Sequence, residues 1–222
     1  MGEAMNGQCI ILLSSPKGGV GKSSISRNLL VVAAQQGRKA LGIDFDQQGT
    51  LTTWGQRRVW VRASAPEIAD VPVMSSKLDD WRETLDAAKS SDRDFVVIDT
   101  PPSIEMNFNA ILSLSGEANL TFVPCQQSQD DVDSIRPWMR MLNDAKASAV
   151  FVLNKANRRT RSYSTIREKL LNLGAVCPVE IPQLEEISFA SSKGLGVMDL
   201  SKPTSGETFR SLWAFLRREV SQ

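Results

Sequence analysis

Between a short apolar run and a long helical pattern the chain reads SSPKGGVGKSS, Ser14 to Ser24. Its end, Gly21-Lys22-Ser23, fits the G-x-x-x-x-G-K-[ST] turn that cradles phosphates. Pro16 stands where that pattern begins with Gly, and a second lysine, Lys17, follows it. Gly18, Gly19 and Gly21 let backbone N–H groups turn inward around an anion without interference from a Cβ. Lys22 is placed to bridge β- and γ-phosphates, and Ser23 to offer its hydroxyl to Mg²⁺. The stretch offered to a nucleotide runs through Lys17, Gly18, Gly19, Val20, Gly21, Lys22, Ser23 and Ser24.

Carboxylates follow two further apolar runs. GIDFDQQGT carries Asp44 and Asp46, and VVIDTPPS carries Asp99. In a parallel sheet the C-terminal strand ends converge on the ligand crevice. Asp99, after four apolar residues, is suited to hold a charge at the core's edge for Mg²⁺ and its waters. The alternative is an acidic cap on the next helix. Asp44 and Asp46 share one strand face by the two-residue period, where two like charges call for a cation or water between them.

Base choice and polyanion binding fall in one segment. NKAN (154–157) is close to the guanine-reading N-K-x-D pattern but has Asn157 for Asp. A carboxamide sets a donor against one guanine N–H, whereas Asn154 can match adenine, so ATP is expected over GTP. The alternative is that these Asn residues only turn the chain after a strand. Arg158, Arg159 and Arg161 open a basic stretch reaching Arg167 and Lys169. Such a cluster is either a solvated face or a contact for DNA phosphates.

The elements that must position these groups alternate. Strands are expected at 9–14, 39–46, 95–99, 120–125 and 149–154, apolar on both faces. A helix at 22–36 carries Ile25, Leu29 and Val32 on one stripe and stops at Gly37. Another over 77–89 aligns Leu78, Trp81 and Leu85. The expected fold is α/β: a mostly parallel, twisted sheet flanked by helices on both faces, forming a single domain over 1–222. The least regular part, 55–76, reads as a surface excursion. The last segment, ETFRSLWAFLRREV, is an amphipathic helix with Phe209, Leu212, Trp213, Leu216 and Val220 on one side.

Composition narrows the chemistry. The 222 residues contain no histidine, which excludes His-dependent triads, imidazole bases and His-ligated metals. Cys9, Cys125 and Cys177 are odd in number and widely spaced, as buried thiols in a reducing compartment would be. Lys and Arg total 26 against 25 acidic residues, so net charge names no partner. The opening MGEAMNGQ lacks a basic signal region, and Asn6 stands where a myristoylation site has Ser or Thr. A cytoplasmic location is expected.

Taken together, K-G-G-x-G-K-[ST], D-x-D at the second strand's end and an apolar strand ending in D-x-P-P resemble the ParA/MinD family of deviant-Walker ATPases. DQQGTLTTW (46–54) is most similar to small ParA-type partition ATPases lacking an N-terminal DNA-binding domain. The resemblance implies an ATP- and Mg²⁺-dependent switch. In such a switch Lys17 crosses an ATP-sandwich homodimer to the partner subunit's phosphates, Asp46 orients the attacking water, and Asp44 and Asp99 lie near Mg²⁺. It also implies nonspecific nucleoid DNA as a ligand, through Arg158, Arg159 and Arg161. A ParB-like or adaptor protein would stimulate hydrolysis, and the cargo would be a plasmid, chromosome or protein assembly. Gln47 departs from the Pro the family carries after its second Asp. Two other readings share the fold: a membrane-cycling MinD-like ATPase, using the last helix as anchor, and a metabolic or metallocentre-loading nucleotidase. Sparse lysines on the polar face of that helix favour core packing over an anchor, so membrane binding is not expected.

Overall fold

The computed structural model describes residues 7–102 and 107–221. The expectation drawn from the N-terminal stretch falls mostly on residues 1–6, outside that description. Among the described residues seven strands form one sheet: β1 (Cys9–Leu13), β2 (Ala40–Asp44), β3 (Val73–Ser75), β4 (Phe95–Asp99), β5 (Leu120–Cys125), β6 (Ala149–Ala156) and β7 (Ile181–Pro182). Their order is β3-β2-β4-β1-β5-β6-β7, and every pairing is parallel.

The strands are apolar throughout because the period of two splits each between two cores. Cys9, Ile11 and Leu13 of β1, with Phe95 and Val97 of β4, face one layer. Ile10, Leu12, Val96 and Ile98 face the other. The first layer is closed by α1 (Lys22–Gln35), α2 (Thr50–Ser64) and α8 (Gly206–Val220). The second is closed by α3 (Trp81–Lys89), α4 (Phe108–Glu117), α5 (Gln129–Asp144) and α6 (Arg161–Leu171). The short helix α7 (Glu185–Ser192) completes the set. Phe209, Leu212, Trp213 and Leu216 of α8 are buried, and Trp213 meets Phe95 edge-on at 5.0 Å, so the last helix packs on the core. Among the described residues no helix is long and apolar enough to cross a membrane.

Two expectations change. Residues 55–64 are helical, as the greater part of α2, and 73–75 form the edge strand β3. The pattern was hidden because α2 buries Arg58 while exposing Val59 and Trp60, the reverse of ordinary amphipathic order. Nor does Asp46 share a strand face with Asp44. Strand β2 stops at Asp44, whose Oδ1 accepts from Asp46 N at 3.1 Å and turns the chain out of the sheet.

The chain leaves β1 for β2 and β3 on one side, returns to β4 beside β1, and then builds β5, β6 and β7 on the other. The C-terminal end of β1 is therefore a switch point, where ligands of doubly wound sheets bind.

Candidate active site

The loop from Ser14 to Gly21 leaves β1 at that switch point and opens α1. Gly19 and Gly21 have φ of 73° and 99°, a region costly for residues with a Cβ. At Gly21 a Cβ would also stand 2.0 Å from Asn154 Nδ2. The helix starts on Gly21 with no side-chain cap and no acidic residue in its first turn, so its first N–H groups are left for an anion.

Neighbouring strand ends hold the loop's other side. Asn154 Nδ2 donates to Val20 O at 2.7 Å, Gln126 Nε2 to Gly19 O at 2.9 Å, and Lys155 Nζ to Gly19 O at 3.3 Å. Asn154 is buried, and its Oδ1 accepts from Lys155 N at 2.9 Å. Its first task is thus to fix the loop, with one amide N–H and one lone pair left over. Lys155, Asn157, Pro182, Gln183 and Leu184 line a second cleft of about 790 Å³ beside it.

The main cleft, about 300 Å³, is lined by Gly18, Gly19, Gly21, Lys22, Ser23 and Ser24, and by Arg27, Asp46, Gln48, Thr50 and Pro102. Lys22 is buried, and among the described residues its Nζ makes only long bonds, 3.4 Å each, to Ser15 O and Lys17 O. Burial pulls its ammonium below the ordinary range, against the attraction of Asp99 and Asp46. Asp99 is fully buried, and neither carboxylate oxygen has a hydrogen-bond partner among the described residues. Burial pushes its carboxyl up to about 7. The Ser23 hydroxyl nearby pulls the other way without reaching hydrogen-bond geometry, and Asp44 adds to the rise.

Asp44 pairs in register with Asp99 but is satisfied differently. Its Oδ2 accepts from Thr52 N at 2.8 Å and Thr52 Oγ1 at 2.9 Å, which ties down the start of α2. Asp46 is half-buried on the cleft wall and accepts from Gln48 N at 3.0 Å. The structure therefore brings Lys22, Ser23, Asp46 and Asp99 together, with Asp44 behind them.

Lys17 points elsewhere. It is ion-paired to Asp131, whose buried carboxylate also takes Gln126 N at 2.6 Å and Ser128 Oγ at 3.0 Å. The basic stretch divides as well. Arg158 reaches the buried carboxylate of Glu180 through Nε at 3.0 Å and through a closer Nη2 contact, beside Tyr163 and Arg167. Arg159 and Arg161 are exposed, with no ion pair among the described residues. Sequence reasoning passed over Arg27 and Asp131. Helical spacing from Ser23 could have flagged Arg27, and the Ser128–Asp131 capping spacing at the start of α5 could have flagged Asp131.

The fit to a magnesium nucleotide rests on these observations: a capless helix end, a loop whose Gly19 and Gly21 take left-handed backbone angles, and an unpartnered buried carboxylate beside a Ser hydroxyl and a Lys. Residues 11–197 match the CobQ/CobB/MinD/ParA nucleotide binding domain. The chain belongs to this family. Its ParA/MinD members are P-loop ATPases that act in positioning. The chain is 33% identical over 175 residues to the maintenance of carboxysome distribution protein A of Halothiobacillus neapolitanus, covering 75% of this chain and 77% of that one. It is 26% identical to the septum site-determining protein MinD of Escherichia coli K12, covering 80% and 73%. The fold is similar to that of MinD of Pyrococcus horikoshii complexed with Mg-ADP, at a TM-score of 0.69 and 18% identity over 97% and 96% of the two chains.

Proposed function

We propose that the chain is an ATP-driven positioning switch of ParA type, cytoplasmic and nucleoid-associated, whose ATP-bound homodimer holds DNA and whose hydrolysis releases it. The observation that carries this reading is the division of labour between two lysines of one loop. Lys22 is enclosed in the cleft among the groups that would hold phosphate. Lys17 sits outside it, stored on Asp131, free to exchange that carboxylate for a phosphate of a second subunit.

In this reading Lys22 and the open N–H groups of α1 bind the phosphates. Asn154 keeps the loop rigid and offers its spare amide N–H toward the base, the second cleft receiving the adenosine. Asp46 orients the water that attacks the terminal phosphorus, and ADP and phosphate leave. Mg²⁺, held by Ser23 and Asp99 with Asp44 supporting them, would spread the charge of the β- and γ-phosphate oxygens. Arg159 and Arg161 contact DNA phosphates, whereas Arg158 shapes the loop through Glu180. The relative named for carboxysome distribution supports a protein assembly as cargo, and an adaptor on that cargo would stimulate hydrolysis.

Co-sedimentation with duplex DNA and with anionic liposomes, each with ATP and with ADP, tests the switch. ATP-dependent, salt-sensitive capture by DNA alone is expected. ATP-dependent capture by liposomes instead would replace this reading with a membrane-cycling one.

A further inference from the structure

Arg27 lies one helical turn beyond Ser23, on the same face of α1, and lines the main cleft together with Asp46, Gln48 and Thr50. Its Nε is enclosed and has no acceptor, and no ion pair or hydrogen bond engages its guanidinium among the described residues. Neither carboxylate of the site bonds it among the described residues. Asp46 accepts from Gln48 N, and Asp99 attracts Arg27 only through space. Burial pushes the guanidinium down to about 10, and Arg57 on α2 repels it. The residue is half-buried, so the terminal nitrogens reach the cleft while Nε stays enclosed without an acceptor, an arrangement that an anion entering the cleft would complete.

The cleft is polarised, and this decides which part of an anion Arg27 meets. Asn154, Lys155 and the second cleft lie at one end, where the loop's carbonyls are tied down. Asp46, Gln48 and Thr50 follow β2, on the opposite side of β1 from β6, and Arg27 lines the cleft with them and feels Arg57 of α2. Helical side chains lean toward the N-terminus, so the guanidinium is carried from α1 toward the loop mouth.

We propose that Arg27 is a ligand of the terminal phosphate of a bound nucleoside triphosphate, supplied by the same subunit, and thus makes the cleft prefer triphosphate to diphosphate. This rests on the nucleotide reading above. The guanidinium fork complements the point charge of Lys22, because it can give two parallel hydrogen bonds to phosphate oxygens. Two cis cations, Lys22 and Arg27, then flank the β–γ region, and Lys17 is the one held in reserve for a second subunit.

The test measures calorimetric binding of Mg²⁺ with ATPγS and of Mg²⁺ with ADP. It compares wild type, Arg27→Met and Arg27→Lys, at concentrations where chromatography shows monomer. Apo melting temperatures are recorded for all three. Arg27→Met is expected to weaken ATPγS binding about tenfold or more while changing ADP binding less than about threefold. Its apo melting temperature should hold or rise, since no bond of the guanidinium is lost. Arg27→Lys should fall between, keeping charge without the fork. Equal weakening of both nucleotides, unchanged binding of both, or a lower apo melting temperature in both variants would overturn the assignment and leave the nucleotide reading standing. A defect confined to concentrations that dimerise would move the guanidinium's target to the partner subunit and overturn the cis role. Wild type that binds neither nucleotide would remove the nucleotide reading itself.

Discussion

Two arginines on neighbouring helices, Arg58 and Arg27, show two uses of charge withdrawn from solvent to different degrees. Arg58, on α2, is fully buried, and Nε and both terminal nitrogens have acceptors. Nη1 meets Asp199 Oδ2 at 2.7 Å and Gly194 O at 3.3 Å, and Nη2 meets Ala69 O at 2.9 Å and Asp199 Oδ1 at 3.3 Å. Nε meets Ala69 O at 3.1 Å. Arg27, on α1, lines a cleft and has no partner at all among the described residues. The same contrast separates Asp199 from Asp99. Arg58 and Asp99 are fully buried and Arg27 is half-buried on a cleft wall, and completion of the hydrogen bonds is what separates the paired charges from the unpaired. A completed charge ties elements together, while an incomplete one is kept for something that arrives from solution.

That contrast breaks most visibly at Arg58. Arg58→Met leaves Asp199 buried without its cation, and the loss expected is about 3–5 kcal/mol. Thermal melts should record it as a fall on the order of 10 °C. A melting temperature within a degree or two of wild type would mean that the junction of α2 with residues 194–199 tolerates an uncompensated carboxylate.

On the cleft side the large effect falls on turnover and not on folding. Asp46→Ala should bind Mg-ATP and accumulate as dimer while hydrolysing about 10²-fold or more slowly, the range for a group that positions or deprotonates a nucleophile. Lys17→Ala should keep monomer nucleotide affinity and fail to dimerise with ATP. Chromatography with ATP and steady-state phosphate release distinguish the two, and a monomeric Asp46→Ala would refute its role.

Asp99 sharpens the comparison through pH. Its carboxyl titrates at about 7 in the folded apo protein, against an ordinary value of 3.8. The folded state therefore holds this proton longer than the unfolded chain, and apo stability should decline as pH rises from about 4 to about 7. Asp99→Asn should flatten that decline and stabilise the metal-free protein at pH 8 by an amount on the order of a few kcal/mol. Urea midpoints in chelator-containing buffer between pH 5 and 8 measure it. An unchanged slope would mean that the carboxylate is solvated or paired in solution.

The smallest effects are expected on the basic stretch, where the same rule separates neighbours. Arg159→Glu with Arg161→Glu should reduce ATP-dependent DNA binding and flatten its log–log salt dependence by about 0.9 for each DNA phosphate no longer neutralised. Arg158→Ala should change that slope little, because its guanidinium is committed to Glu180. Equal slopes for both variants would erase the distinction between paired and free arginines on this surface.

How far these features could be read in advance follows from their physics. β1, β2, β4, β5 and β6 were legible because a strand covered on both faces is apolar at every position. The loop was legible because phosphate binding demands glycine and lysine at adjacent positions. Residues 55–64 were not, since burying Arg58 and exposing Trp60 reverses the pattern on which helix recognition depends. The edge strands β3 and β7 are three and two residues long, too short to carry a period. Asp44 and Asp46 looked like an even pair. Only the turn closed by the Asp44 carboxylate shows one to be structural support and the other part of the cleft wall.

The order of residues alone determined the alternation of strands and helices, the parallel sheet it requires, and which groups stand at strand ends. Those are local consequences of apolar periodicity and glycine placement, and they hold whatever the neighbours are. Tertiary structure decided which charges are spent and which are kept. Arg58 meets Asp199 across 141 positions of chain, Lys17 meets Asp131 across 114, and Arg158 meets Glu180 across 22. Whether a buried charge finds its counterion depends on such long-range meetings, and so Arg27 and Asp99 could be recognised as unpaired only once the chain had folded around them.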